Sequence, residues 1–363
     1  MAQPVPWLPV ALAAVVALAM AAALHLAFWW RRLRLAPRED ELLFARTRDG
    51  WELALGRCRP AGPALHPPVL LVHGIAMNRQ AFELGLPPYA LAAHLAGAGL
   101  DCFSLDLRGH GASRRVDRAA PRRFDLDTYL AEDLPAALEA IRAATGSDRV
   151  LYVGHSQGAV LGMAAAAAYP ARIAGLVALA APVHFQAQPR LSELVARRRP
   201  FLTLHTRLLA RLLAPFSGRW HPRPADLALN PANVEPGVTR RVLFNAISDL
   251  HRGELAQFAA MIREDSFRSM DGAVDYRAAL TRCRQPALLV AAACDPIAPP
   301  AAVEEASRRW GGPGRLLVFE GDYGHTDLLF GRRAPEEVYP AIREFLLGLA
   351  RADAGSHGRA APP

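Results

Sequence analysis

The run LYVGHSQGAVLGM places Ser156 in a G-x-S-x-G pentapeptide, Gly154 to Gly158, between an apolar strand pattern and an alanine-rich helical stretch, 159–168. A serine hydroxyl is a useful nucleophile only when a base takes its proton and the chain holds it clear of its neighbours. A strand–turn–helix elbow does the second job. Gly154 and Gly158 carry no side chain, so strand and helix can close up while Ser156 takes a strained, exposed conformation. Such a serine suits acyl transfer, and the helix behind it turns free N–H groups toward a developing negative charge. The N–H of Gln157 is the first expected oxyanion donor. A second is expected from the loop after an earlier strand, in VLLVHGIAMN, where Gly74 lets the backbone turn and the N–H of Ile75 is the candidate. His73 in that loop reads as a structural hydrogen-bonding group rather than the base.

Around an elbow of this kind the acid and base follow the serine along the chain. Asp295 comes directly after the strand pattern ALLVAAAC, at a carboxyl end where catalytic groups gather. His325 follows the last strand pattern, RLLVFEGDYG, and is the only one of the twelve histidines to do so directly. His155 adjoins the nucleophile and is expected to point away from it, and His357 lies in the tail. Asp322 and Asp327 are rivals for the acid, but they share the histidine's own loop, from which its Nδ1 is harder to reach. In LDLRGHGAS, Asp106 stands where a carboxylate nucleophile or second acid could sit. With Ser156 available, a structural role for Asp106, Arg108 and His110 is the expectation.

Positioning these residues requires an α/β fold. Residues 42–48 and 51–57 read as an antiparallel pair turned at Asp49-Gly50. Strand patterns follow at 69–72, 102–106, 150–153, 176–180, 287–292 and 316–319, alternating with helical stretches. In 129–143 the apolar residues Leu130, Leu134, Leu138 and Ile141 recur on one helix face, which is core packing. The expected architecture is a mostly parallel eight-stranded sheet with helices on both faces. The alternation fails over 183–282, which carries helices and the proline-rich link SGRWHPRPADLALNP and reads as a helical cap. The divisions expected are 1–36, 37–182, 183–282, 283–353 and a disordered tail, 354–363. Within the cap, FLTLHTRLLARLLAPF is amphipathic, with Leu204, Leu208 and Leu212 on one side and Arg207 and Arg211 on another. The preferred reading is a helix covering the active site with its apolar face; the other is a helix resting on an anionic membrane.

Residues 7–30, WLPVALAAVVALAMAAALHLAFWW, carry no full charge. At about 1.5 Å per residue they span roughly 36 Å, enough to cross a hydrocarbon core. Tryptophans stand at both ends, and Arg31, Arg32, Arg34 and Arg38 follow. The positive-inside rule then predicts an uncleaved single-pass anchor, with the catalytic domain cytoplasmic. The alternative is a signal sequence and a secreted or periplasmic domain. The net charge is +8, and all 42 basic residues are arginine. Together with abundant alanine and proline, that reflects a compositional bias more than a nucleic-acid partner, and none is expected. Cys58, Cys102, Cys283 and Cys294 have no C-x-x-C spacing. They read as buried thiols in a reducing compartment, with neither zinc site nor disulfide framework.

Across roughly residues 40–350 the order of motifs resembles the α/β-hydrolase superfamily. The segment DLPAALEAIRAATGSDRVLYVGHSQG resembles the approach to the nucleophile in the acid lipases, the gastric and lysosomal lipase family, and GHTDLLFG resembles the block around their catalytic histidine. The resemblance implies Ser156, Asp295 and His325 as the triad, and esters of fatty acids or similar lipids as substrates. LDLRGHGAS instead resembles bacterial esterases, and acid lipases are typically secreted glycoproteins. Polyhydroxyalkanoate synthases share parts of the pattern but carry cysteine at the position of Ser156. The expectation is therefore a membrane-anchored serine ester hydrolase acting on a small-molecule or lipid ester through an acyl-enzyme, with no metal and no organic cofactor. Alternatives are an acyltransferase using the same triad and an inactive, membrane-tethered binding protein on this fold.

Overall fold

The computed structural model describes residues 7–185, 203–218 and 228–357. Part of the proline-rich link and of the expected cap falls outside them.

Among the described residues, nine strands form one sheet. They are β1 (Glu41–Arg46), β2 (Trp51–Cys58), β3 (Leu65–Val72), β4 (Leu100–Leu105), β5 (Arg114–Arg115), β6 (Val150–His155), β7 (Ile173–Leu179), β8 (Ala287–Ala292) and β9 (Gly314–Phe319). The order is β1-β2-β4-β3-β6-β7-β8-β9, with β5 added on β2. β1, β2 and β4 pair antiparallel, and from β4 through β9 every pairing along the path is parallel. Eight of these strands match the sequence patterns. The ninth, β5, is two residues pairing with Trp51 and Glu52, too short to show a periodicity. Strands β4, β6 and β8 are buried along their whole length, as central strands are when both faces of a sheet are covered.

The helices used below are α1 (Leu8–Leu33), α2 (Leu91–Ala96), α3 (Leu134–Thr145), α4 (Gln157–Ala168), α5 (Thr206–Leu213), α6 (Pro236–Asn245), α7 (Arg252–Glu264), α8 (Pro300–Arg309) and α9 (Ala334–His357). The helix expected over 129–143 is composite. A turn capped by Asp125 and a π-turn, Tyr129–Asp133, lead into α3, which stops at Gly146 in the left-handed region. Leu130, Leu134, Leu138 and Ile141 all face the core, as their spacing predicts. Helix α9 runs through His357, so the start of the expected tail, 354–357, is helical; 358–363 lie outside the described residues.

Between β7 and β8 come α5, α6 and α7, with no strand of the sheet among the described residues. Helix α1 is long and apolar enough to cross a membrane, by length and composition. Its last turns meet this insertion, the expected cap: Leu33 is buried with Ala214 and Phe244, and Trp29 packs beside them. Asn245 latches this junction, its Nδ2 donating to the Leu33 carbonyl (2.9 Å) and its Oδ1 accepting from the Leu35 N–H (3.0 Å).

Helix α5 departs from the preferred sequence reading. Leu208 is 58% exposed and Leu209 56%, and no residue of α5 is buried, so its leucines do not face the site. On the inward side is Arg211, whose guanidinium lies over the rings of Trp30 (5.1 Å) and Phe244 (5.3 Å) and donates to the Phe244 carbonyl. Arg211 thus packs inward while Arg207, Leu208, Leu209 and Leu212 are left exposed.

Candidate active site

The sharp turn between β6 and α4 puts Ser156 at φ +52°, a left-handed conformation that a side chain adopts only under strain. Close packing imposes it. A Cβ on Gly158 would overlap the Val72 carbonyl, and one on Gly154 would overlap the backbone of Gly158 and Ala159. The Ser156 N–H donates to the Leu179 carbonyl (2.8 Å), tying the elbow to β7.

The structure brings Ser156, His325 and Asp295 together. Ser156 Oγ lies 2.8 Å from His325 Nε2, and His325 Nδ1 lies 2.7 Å from Asp295 Oδ2. An ionised carboxylate only accepts, so Nδ1 carries the proton and Nε2 is left free to accept from the serine. Asp295 sits just beyond β8, and its other oxygen accepts from the N–H groups of Ile297 (2.7 Å) and Ala298 (2.8 Å). Burial acts to raise its pKa, but the charge and hydrogen bond of His325 and these two N–H groups outweigh it, and the carboxyl stays below its usual range.

Of the two rival acids, neither of which bonds the histidine ring, Asp327 is occupied elsewhere and Asp322 is exposed. Asp327 accepts from the N–H groups of Gly324 and Asn230 and from Asn233 Nδ2. Burial is the main reason its pKa rises to about 6. The backbone carbonyl of Asp322 accepts from Asn230 Nδ2. These bonds tie the histidine's loop to the cap residues Asn230 and Asn233.

A Cβ on Gly74 would press on His155 Nδ1 (3.0 Å) and Ser156 Cβ (3.2 Å), so the loop carrying Ile75 lies against the elbow. His73 is structural, as expected: its Nδ1 is 2.8 Å from the Gly74 carbonyl and its Nε2 accepts from the Leu107 N–H. Burial foremost lowers its pKa to about 4. Asp106 accepts from the N–H groups of Arg79 and Ala112, and Arg108 is fully buried between Asp133 and Asp49. Both therefore organise loops. His155 has a partner: its Nε2 lies 3.0 Å from the His325 carbonyl and braces that loop. Of the thiols, Cys58, Cys102 and Cys283 are buried and Cys294 is exposed, correcting the expectation that all four lie inside. All four are free.

One residue at the site has no counterpart in the sequence reading. Glu254, on the cap helix α7, is 1% exposed and reaches into the core. Its Oε1 accepts from Gln157 Nε2 (2.9 Å) and lies 3.2 Å from His110 Nε2, while its Oε2 accepts from the His251 N–H. Burial would raise its pKa, but His110, Gln157 and Tyr129 hold it down to about 2. For His110, burial acts to lower the pKa and the Glu254 charge more than reverses it. Within this buried contact each group favours the charged form of the other. The local sequence showed only a glutamate three residues after His251, a helix-capping spacing that it also fulfils.

Residues 67–332 match the α/β hydrolase fold family, and the chain belongs to that family. Part of the chain is similar to human lipases. It is 34% identical over 134 residues to lipase member K, covering 34% of this chain and 34% of that one. It is 34% identical over 145 residues to human lysosomal acid lipase/cholesteryl ester hydrolase, covering 37% of this chain and 36% of that protein. The match thus spans only 34% and 36% of the length of these curated relatives. Among solved structures, the fold is similar to a membrane phospholipase A described as a bacterial virulence factor (TM-score 0.56, 20% identity, 94% of this chain and 98% of that one). It is also similar to the monoacylglycerol lipase of Paleococcus ferrophilus (TM-score 0.56, 19% identity, 81% of this chain and 99% of that one).

Proposed function

We propose that this chain is a carboxylic ester hydrolase of lipase or esterase type, with Ser156 as nucleophile, His325 as general base and acid, and Asp295 orienting the histidine. The observation that carries the reading is the continuous relay from Ser156 Oγ to His325 (2.8 Å) to Asp295 (2.7 Å) on a strained elbow. His325 Nε2 takes the hydroxyl proton as Oγ attacks the ester carbonyl. The N–H of Gln157, at the start of α4, and the N–H of Ile75 receive the oxyanion. No acceptor takes the Ile75 N–H among the described residues, which leaves it available. Collapse of the intermediate breaks the ester C–O bond, and the leaving alcohol takes the proton from His325. Water then enters by the same route and releases the acid.

Lipid or other acyl esters are the proposed substrates, in keeping with the names of the similar human lipases. Helix α1 is proposed as a single-pass membrane anchor that places the arginine-rich flank, Arg31 to Arg38, and the catalytic domain on the cytoplasmic side.

A fluorophosphonate probe tests the nucleophile. The full chain should be labelled and Ser156→Ala should not; equal labelling of the two refutes the assignment. Hydrolysis of p-nitrophenyl esters of graded length then separates a lipase, faster on long chains, from a short-chain esterase.

A further inference from the structure

We propose that the cap carries a second, interfacial membrane contact: helix α5 and the adjoining Leu204 and Phe216, seated in the acyl boundary of an anionic bilayer beside α1. The inference rests on reading α1 as a membrane span.

Three observations support it. First, Leu204, Leu208, Leu209, Leu212 and Phe216 are 42–58% exposed, and nothing among the described residues covers them. Scattered single leucines on a surface need no explanation, but five large apolar side chains along one short element make a patch that calls for a partner.

Second, the patch continues the apolar surface of α1. The ring of Phe216 stacks on His25 at 6.0 Å and 27°. His25 precedes Trp30, the last residue before the arginines, by five positions. At about 1.5 Å per residue, Phe216 then lies roughly 7–8 Å inside the end of the apolar run. Interfacial helices bury their apolar face about 5–10 Å into the headgroup–acyl boundary, the same depth. If α1 spans a bilayer, Phe216 is already inside it.

Third, cations ring this level. Arg31, Arg32 and Arg34 are exposed at the end of α1, and Arg207 is exposed on α5. Arg240 on α6 lies over the Trp29 ring at 5.9 Å. Asp249, an acidic group beside Arg207, already accepts from the Arg207 N–H and faces His205. The balance favours anionic headgroups.

The test uses the full chain in phosphatidylglycerol-containing liposomes. Leu208→Cys in a Cys294→Ser background carries an environment-sensitive fluorophore, and Asp148→Cys, in the loop before β6, serves as the distant control. Lipids bearing a nitroxide near the headgroup should quench the probe at 208 several-fold more than the probe at 148, with blue-shifted emission. Replacing the anionic lipid by phosphatidylcholine should weaken the quenching; equal quenching overturns the anionic part. Water-like emission at 208 overturns the contact. So does a blue shift without lipid quenching, which would mean that protein covers the patch: another segment of this chain, or a second copy if the shift follows the protein-to-lipid ratio. Alkaline carbonate extraction keeps the underlying reading separate. A chain stripped from the membrane refutes the span, whereas a retained chain with a solvated probe refutes only the docking surface.

Discussion

Gln157 Nε2 donates to Glu254 Oε1 at 2.9 Å, so a cap side chain grips the residue whose backbone N–H begins α4 behind Ser156. The same carboxylate faces His110 from the loop after β4. One buried group thus joins cap, elbow and core loop. Because the carboxylate is out of water, each partner lost leaves it less well satisfied, and the loss of His110 would leave its charge uncompensated.

Glu254→Ala should lower kcat by up to about 10²-fold through a shifted elbow, with KM little changed. It should also cost about 3–5 kcal/mol of stability in urea unfolding, the usual consequence of orphaning one member of a buried pair. Glu254→Gln keeps an acceptor for Gln157 and should recover most of kcat. If Ala and Gln variants lose stability but keep kcat, the residue is structural only.

The pH dependence follows from the same pair. Glu254 has its pKa lowered from 4.5 to about 2, so its contribution to stability is complete above pH 4.5 and is lost as pH falls toward 2. His110 has its pKa raised from 6.5, so its contribution is complete below 6.5 and is lost as pH rises through its folded value. The stability difference between wild type and Glu254→Gln should therefore be greatest between these limits and shrink on acidification. A difference that stays constant from pH 6 to pH 3 would contradict this mutual stabilisation of charge.

Asp295→Asn should leave the fold intact and cut kcat by roughly 10⁴-fold, because an amide at Oδ2 favours the wrong imidazole tautomer. Crystallography or NMR of the histidine would check that position is retained while protonation changes.

Gly158→Ala forces a Cβ onto the Val72 and His73 carbonyls, backbone that cannot swing aside. It should cost about 1–3 kcal/mol and abolish fluorophosphonate labelling. Gly146→Ala is the contrast: a Cβ there meets nothing, but φ is +76°, so the cost is about 1–2 kcal/mol with labelling unchanged. Equal effects of the two on labelling would refute the packing argument.

By itself the sequence determined the parts whose signal is local. The elbow needs glycine at 154 and 158, the parallel strands need continuous apolar runs, and the acid and base must follow strand ends, so Ser156, Asp295 and His325 could be read in order. The choice of Asp295 over Asp327 was legible only as a matter of reach, and the structure brings Asp295, not Asp327, to the histidine. Three things needed the tertiary structure. Strand β5 exists only because Trp51 and Glu52 offer it an edge. Which side of α5 packs inward shows only in Arg211 lying over Trp30 and Phe244 while Leu208, Leu209 and Leu212 stay exposed. The role of Glu254 depends on a carboxylate and an imidazole far apart in the chain meeting where water cannot reach them. A helical period records which residues share a face. What that face meets is decided by the partner surface, and burial turns an ordinary capping glutamate into the centre of the site's scaffold.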